Sequence, residues 1–169
     1  MKIIEALKKT KELQKKADDL KEKICNNCSI SSVDTPLYED QSKQISEWLQ
    51  AHSDVLKEKL RLQIAIQKTN IETFVDIEIG GKTISKSIAE WIHRRRDLSK
   101  QEKRCWAVLT DRGIIEGISN TPSGGKIEIK IQRFYDPKKK DEMISLFDSE
   151  PYAIDSKLEI VNAITDLTE

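Results

Sequence analysis

Aromatic residues make up only 5% of this 169-residue chain, and cysteine occurs three times. So few aromatics, with 37% apolar residues of which 23 are isoleucine, suffice for one modest core, so a single domain is expected over residues 1–169. An odd number of cysteines argues against a disulfide framework and for a reducing compartment. No run of 18 apolar residues is present, mean hydropathy is -0.57, and the opening MKIIEALKKT is charged every few positions. A membrane span or a secretory leader is therefore not expected, and a cytoplasmic protein is. Excess charge of either sign is also missing: 29 Lys and Arg balance 29 Asp and Glu. That balance argues against a protein that coats nucleic acid or an anionic membrane, while the Lys and Ile content points to a low-G+C genome, bacterial or phage.

Catalytic signatures are equally scarce. There is no GxSxG, HExxH or Walker loop, and Gly80-Gly81 and Gly124-Gly125 fall in hairpin contexts. His52 and His93 have no neighbouring nucleophile, and His52 lies on the apolar side of its helix. Cys25-Asn-Asn-Cys28 lacks the two further ligands a structural zinc needs. It also follows the C-terminal end of a predicted helix, where the macrodipole disfavours a thiolate. No enzyme, metal or cofactor is expected.

What is present is periodicity. Ile3, Ala6, Thr10, Leu13, Ala17, Leu20 and Ile24 alternate in steps of three and four, which predicts a helix of about 25 residues that needs a partner. Pro36 and its polar neighbours break the chain, and Asp40 or Ser42 can cap a second helix from Gln41 to about Thr69. Its apolar stripe is wide enough to be covered on two sides. Residues 1–70 thus read as a long antiparallel helical hairpin. Residues 71–84 read as a β-hairpin around Gly80-Gly81, 85–110 as a basic helix, 111–135 as a second hairpin, and 136–169 as a short helix and then a final one started by Ser149-Glu150-Pro151. The expected fold class is mainly α with small β-hairpins (α+β), a helical bundle with coiled-coil character that oligomerises.

MKIIEALKKTKELQKKADDLKEKI at the start, IQKTNIET at 66–73, GGKTISKSIAEWIHRRRDL at 80–98 and IDSKLEIVNAITDL at 154–167 together resemble the septicolysin-like family of small bacterial and phage proteins. The resemblance implies a mostly helical protein that homo-oligomerises, without a settled activity. It also implies a repeated Asn-x-x-Thr signature, here Asn70 with Thr73 and Asn162 with Thr165. Each lies near a predicted helix end, so these residues either cap helices or form two related polar pockets.

The segment Trp91 to Trp106 concentrates Arg94, Arg95, Arg96, Lys100, Lys103 and Arg104 on one helix. At 100° per residue, Arg96, Lys100, Lys103 and Arg104 share an outer face, and Arg95 falls in the seam with Trp91, Leu98 and Glu102. A seam arginine must be paired, and a carboxylate such as Glu102 of a neighbouring helix could fix register that way. Alternatively, several copies of Arg94, Arg95 and Arg96 surround a cavity and bind phosphate bidentately while Trp91 or Tyr135 stacks on a base. Lys138-Lys139-Lys140 reads as a solvated run.

The leading expectation is a non-enzymatic homo-oligomer that binds or sequesters a small anionic, nucleotide-like ligand through Trp91, Arg94, Arg95, Arg96, Lys100, Arg104, Asn70, Thr73, Tyr135 and Asn162. In a phage it would serve as an anti-defence sponge for a nucleotide signal in the host cytoplasm. The alternative is a structural or protein-interaction coiled-coil module without a ligand. Nucleic acid and membrane partners are not expected.

Overall fold

The computed structural model describes residues 1–168. The chain is mainly helical and carries two small hairpins, in the order α1 (Ile3–Asn27), α2 (Gln41–Glu72), β1 (Phe74–Ile79), β2 (Lys82–Ser87), α3 (Ile88–His93), a π turn (Arg94–Leu98), α4 (Ser99–Ala107), β3 (Gly117–Asn120), β4 (Lys126–Ile129) and α5 (Pro137–Ile164). Among the described residues no helix is long and apolar enough to cross a membrane. The chain divides into two compact units: one comprises Met1–Phe74, Ser87–Ala89 and Leu158–Glu169, the other Val75–Lys86 and Glu90–Lys157.

In the first unit, α1 and α2 pack on one another. The predicted seam buries Ile3, Ala6, Leu13 and Ala17 of α1, and Leu13 and Ala17 cluster with Val55 of α2, with Leu20 and Leu62 around them. Burying an aliphatic side chain of this size stabilises by about 1.5–3 kcal/mol, and the two alanines let the backbones approach. Asp40 opens α2, its carboxylate accepting from the Lys43 N–H at 2.9 Å, which satisfies one orphan donor of the first turn. Across the pair, Lys9 meets Glu58 at 2.6 Å and Gln41 donates to the Asn27 carbonyl at 2.9 Å.

In the second unit, β1 buries Val75, Ile77 and Ile79 in strict alternation with Asp76 and Glu78, as a half-covered strand requires. Gly80 and Gly81 both take positive φ (58° and 75°), the geometry of a two-residue turn whose twist matches the strands. The chain stays extended through Ser87, so Ser85, Lys86 and Ser87 belong to β2 and not to the start of the basic helix. β3 and β4 form the second hairpin with Gly117 opposite Ile129 and Asn120 opposite Lys126.

The C-terminal region departs further from expectation. Instead of a short helix followed by another, one helix runs from Pro137 through Pro151 to Ile164. Asp136 caps it, its carboxylate accepting from the Lys138 N–H at 2.9 Å. Pro151 lacks an N–H and so leaves the carbonyl four residues earlier without its helical donor. The adjacent Glu150 is only 4% exposed.

A methyl group at Gly80 would sit 2.5 Å from the Leu146 Cδ1, whereas nothing lies within 4 Å of one at Gly81. Gly80→Ala is therefore expected to destabilise by about 1–2 kcal/mol, more than Gly81→Ala, because it adds displacement of Leu146 to the positive-φ cost that both share. Urea unfolding of the two variants checks the order.

Candidate functional site

The basic helix of the second unit is interrupted by a π turn, and that extra residue rearranges everything the sequence pattern places around it. Counting on from the fully buried Trp91, the next fully buried residue is Ser99, eight positions along, while Leu98 is 42% exposed. A regular helix would have put Leu98 inward. The wider turn substitutes Ser99, while Arg94, three residues on from Trp91, lies partly buried on the same side.

Arg94 then meets Glu150 of α5 in a two-pronged pair, Nε to Oε1 at 2.8 Å and Nη2 to Oε2 at 2.7 Å. The Ser99 hydroxyl donates to the same Glu150 Oε2 at 2.8 Å. Both carboxylate oxygens of a nearly inaccessible glutamate are thus satisfied by charge-assisted bonds. The Phe147 ring lies 5.8 Å from the guanidinium carbon, and Glu102 approaches Nη1 at 3.7 Å. The hydrogen bonds from Arg94 to Glu150 hold the guanidinium's pKa above its ordinary value, against the opposing effect of burial.

Arg95 is not the seam arginine paired to Glu102: its Nη1 reaches Asp155 at 2.6 Å, with both side chains substantially exposed. Lys103 pairs similarly with Asp148 at 2.5 Å. Trp91 is buried, its indole N–H donating to the Val75 carbonyl at 2.9 Å, so its faces are not open for stacking on a base. Arg96 is exposed, and Lys100 and Arg104 line a shallow depression with Phe147, Pro151 and Tyr152. Tyr135 lies elsewhere in this unit, beside the Arg133–Asp111 pair, whose two bonds are each 2.7 Å. The cations proposed as one cluster are therefore dispersed over several surfaces.

The repeated Asn-x-x-Thr segments sit in the first unit and are helix ends. Thr73 follows α2, and its carbonyl accepts from the Ile88 N–H at 2.9 Å; Thr165 follows α5, and its carbonyl accepts from the Ile3 N–H at 3.0 Å. In both places a carbonyl just past one helix meets the first N–H of another and satisfies that leading donor. Asn162 is half-buried near its helix end, and Asn70 Oδ1 is buried without a hydrogen-bond partner.

A cavity of about 630 Å³ in the second unit does gather cations. Arg94 lines it together with Lys82 and Lys86 from β2 and Lys139 from α5, alongside Glu102, Glu142 and Glu150, with Ile79, Ile84, Met143 and Leu146 as apolar lining. Lys86 lies 4.0 Å from Glu90. Among the described residues, Lys82 and Lys139 have no carboxylate within ion-pair distance. The sequence could not flag these three lysines, since they come from a hairpin and from a run that reads as solvated. Among the described residues no group of three or more His, Cys, Asp or Glu is placed to hold a metal, and the three cysteines are free and exposed.

Fold and site together define a mainly helical α+β protein with two small hairpins and an internally paired arginine facing a lysine-lined cavity. Residues 10–167 match the family of unknown function DUF6847, and the chain belongs to that family. A functionally unknown conserved protein from Corynebacterium diphtheriae, known from a crystal structure, shares the fold at a TM-score of 0.58 and 20% identity, over 99% of each chain. No curated protein matches.

Arg94→Ala strands the Glu150 carboxylate in its buried position and is expected to cost about 3 kcal/mol, whereas Arg95→Ala removes an exposed pair and costs less than about 1 kcal/mol. Guanidinium unfolding of both variants makes the comparison. A second expectation concerns pH. Hydrogen bonds from Arg133 hold the Asp111 carboxyl below its ordinary value, so this pair's contribution is complete above the ordinary Asp range and is lost as pH falls through the lower folded value. An NMR titration of the Asp111 carboxyl carbon should show that low midpoint, and Arg133→Gln should raise it toward the ordinary Asp range.

Proposed function

We propose that the protein is a non-enzymatic homo-oligomer that binds a small anion carrying an apolar or aromatic portion, a nucleotide-like ligand, in the lysine-lined cavity of the second unit. The observation that carries this reading is the presence of Lys82 and Lys139, without carboxylate partners among the described residues, around a cavity that also has an apolar wall. Lysine heads supply mobile donors to a phosphate, and Ile79, Ile84 and Met143 supply the surface for a ring. Arg94 acts in this reading mainly as an anchor, since two of its N–H groups are committed to Glu150. The reading extends the septicolysin-like resemblance toward sequestration of a nucleotide signal in the cytoplasm, that of the host for a phage-borne gene.

A second reading is favoured by the internal pairing of Arg94 and Arg95, which gives both arginines a structural occupation: a protein-interaction module built on a long antiparallel helical hairpin, without a ligand. Isothermal titration with adenosine 5′-monophosphate and with inorganic phosphate separates the two. Binding of the nucleotide that weakens at least tenfold in the Lys82→Ala, Lys139→Ala double variant, with its unfolding midpoint unchanged, is the expected result. Silence of both probes at millimolar concentration would leave the interaction module.

A further inference from the structure

Helix α2 has two apolar faces, and among the described residues only the one turned to α1 is buried. Val55, Leu62, Ile66 and Thr69 lie along the face turned to α1 and are buried or half-buried. Leu49, Leu56, Leu60, Ile64 and Ile71 follow one another in steps of seven, four, four and seven, and they are 54%, 41%, 56%, 56% and 63% exposed. At 100° per residue these five side chains fall within an arc of about 80°, on a line about 33 Å long. The only other residues in that line are Ser53 and Gln67; every charge of α2 falls outside it. An uncharged aliphatic stripe of this length is larger than scattered surface leucines would make, and marks a contact surface.

The spacing of the stripe names its occupant. Leu56 and Ile64 stand four residues either side of Leu60, and Leu49 and Ile71 stand eleven either side; the two polar positions, Ser53 and Gln67, are likewise each seven away. The pattern reads the same from either end. A second copy of α2 laid antiparallel, with a two-fold axis at Leu60, therefore sets Leu49 against Ile71, Leu56 against Ile64, Leu60 against itself and serine against glutamine. Self-complementarity under a two-fold rotation is the requirement for an isologous dimer. Ten such side chains, with the aliphatic stems that flank them, cover on the order of 1,000 Å², the size at which specific interfaces begin. Lys57 and Arg61 border the stripe, and Lys57 already turns to Asp54 at 3.2 Å, so its charge stays in water while its stem covers the seam.

We infer that α2 pairs with α2 of a second copy in an antiparallel two-fold dimer centred on Leu60. This surface belongs to the first unit and the lysine-lined cavity to the second, so the pairing holds or fails independently of anion binding.

Sedimentation equilibrium of the full chain provides the test, with circular dichroism to confirm folding. Wild type should be dimeric at micromolar concentration, Leu60→Glu should raise the dissociation constant at least 100-fold with helicity unchanged, and Leu60→Met should leave it within a few-fold. A wild-type monomer at 100 μM, or a Leu60→Glu variant that still dimerises as wild type does, overturns the proposal. Direction is read by cysteine cross-linking with Cys25, Cys28 and Cys105 replaced by serine. Leu49→Cys should cross-link to Ile71→Cys when the two variants are mixed and refolded together; cross-linking of Leu49→Cys to itself instead would mean a parallel pair and would equally overturn it.

Discussion

Glu150 is a carboxylate almost without access to water, and the second unit is organised around keeping it satisfied. Two guanidinium nitrogens of Arg94 and the Ser99 hydroxyl converge on its two oxygens. For Arg94 and Ser99, five residues apart, to reach one carboxylate, the helix that carries them widens by a residue at the π turn; a regular helix would aim Leu98 there instead. Glu150 comes from the other side, on α5, one residue before the Pro151 that this helix runs through. A π turn is unfavourable alone, and here it lets one carboxylate take both partners. Replacing such a pair with apolar residues is often harmless, but removing one partner is not, so the pair acts as a specificity device joining two helices in one register.

That constraint reassigns the arginines. Arg94 has two of its nitrogens committed to Glu150 and Arg95 one to Asp155, whereas Lys82 and Lys139 have no carboxylate within ion-pair distance among the described residues. Lys82, Lys86 and Lys139 reach the same cavity as Arg94 from a hairpin and from the start of α5. In the first unit the corresponding economy lies at helix ends: the Thr73 and Thr165 carbonyls each receive the leading N–H of another helix. The repeated Asn-x-x-Thr segments thereby act as joints.

Much of the fold is legible in the sequence because period and punctuation agree with it. The three-four spacing from Ile3 to Ile24, the Pro36 break, and the alternating Val75, Ile77 and Ile79 before Gly80-Gly81 all describe elements that form where expected. The misplacements share a cause, which is that tertiary bonds override local signals. Ser149-Glu150-Pro151 has the composition of a helix start, yet Glu150 is bound from outside its own helix. Leu98 has seam spacing only if the helix is regular. Arg94 and Arg95 differ by one residue, and the buried carboxylate that Arg94 meets, Glu150, comes from a helix 56 residues further along the chain. Lys82 and Lys139 lie 57 residues apart, and nothing in their local surroundings marks them as neighbours of one cavity.

The central claim is that Arg94 is immobilised on Glu150 while the lysines of the same cavity remain available to an anion. Arginine side-chain NMR addresses it directly, through the exchange rate of the Arg94 Nε–H with and without adenosine 5′-monophosphate, recorded beside the amide shifts of Lys82, Lys86 and Lys139. A slowly exchanging Arg94 Nε–H is expected to persist while the nucleotide shifts the lysine amides. An Arg94 Nε–H that exchanges as fast as a free arginine, or lysine amides that do not respond, would contradict it.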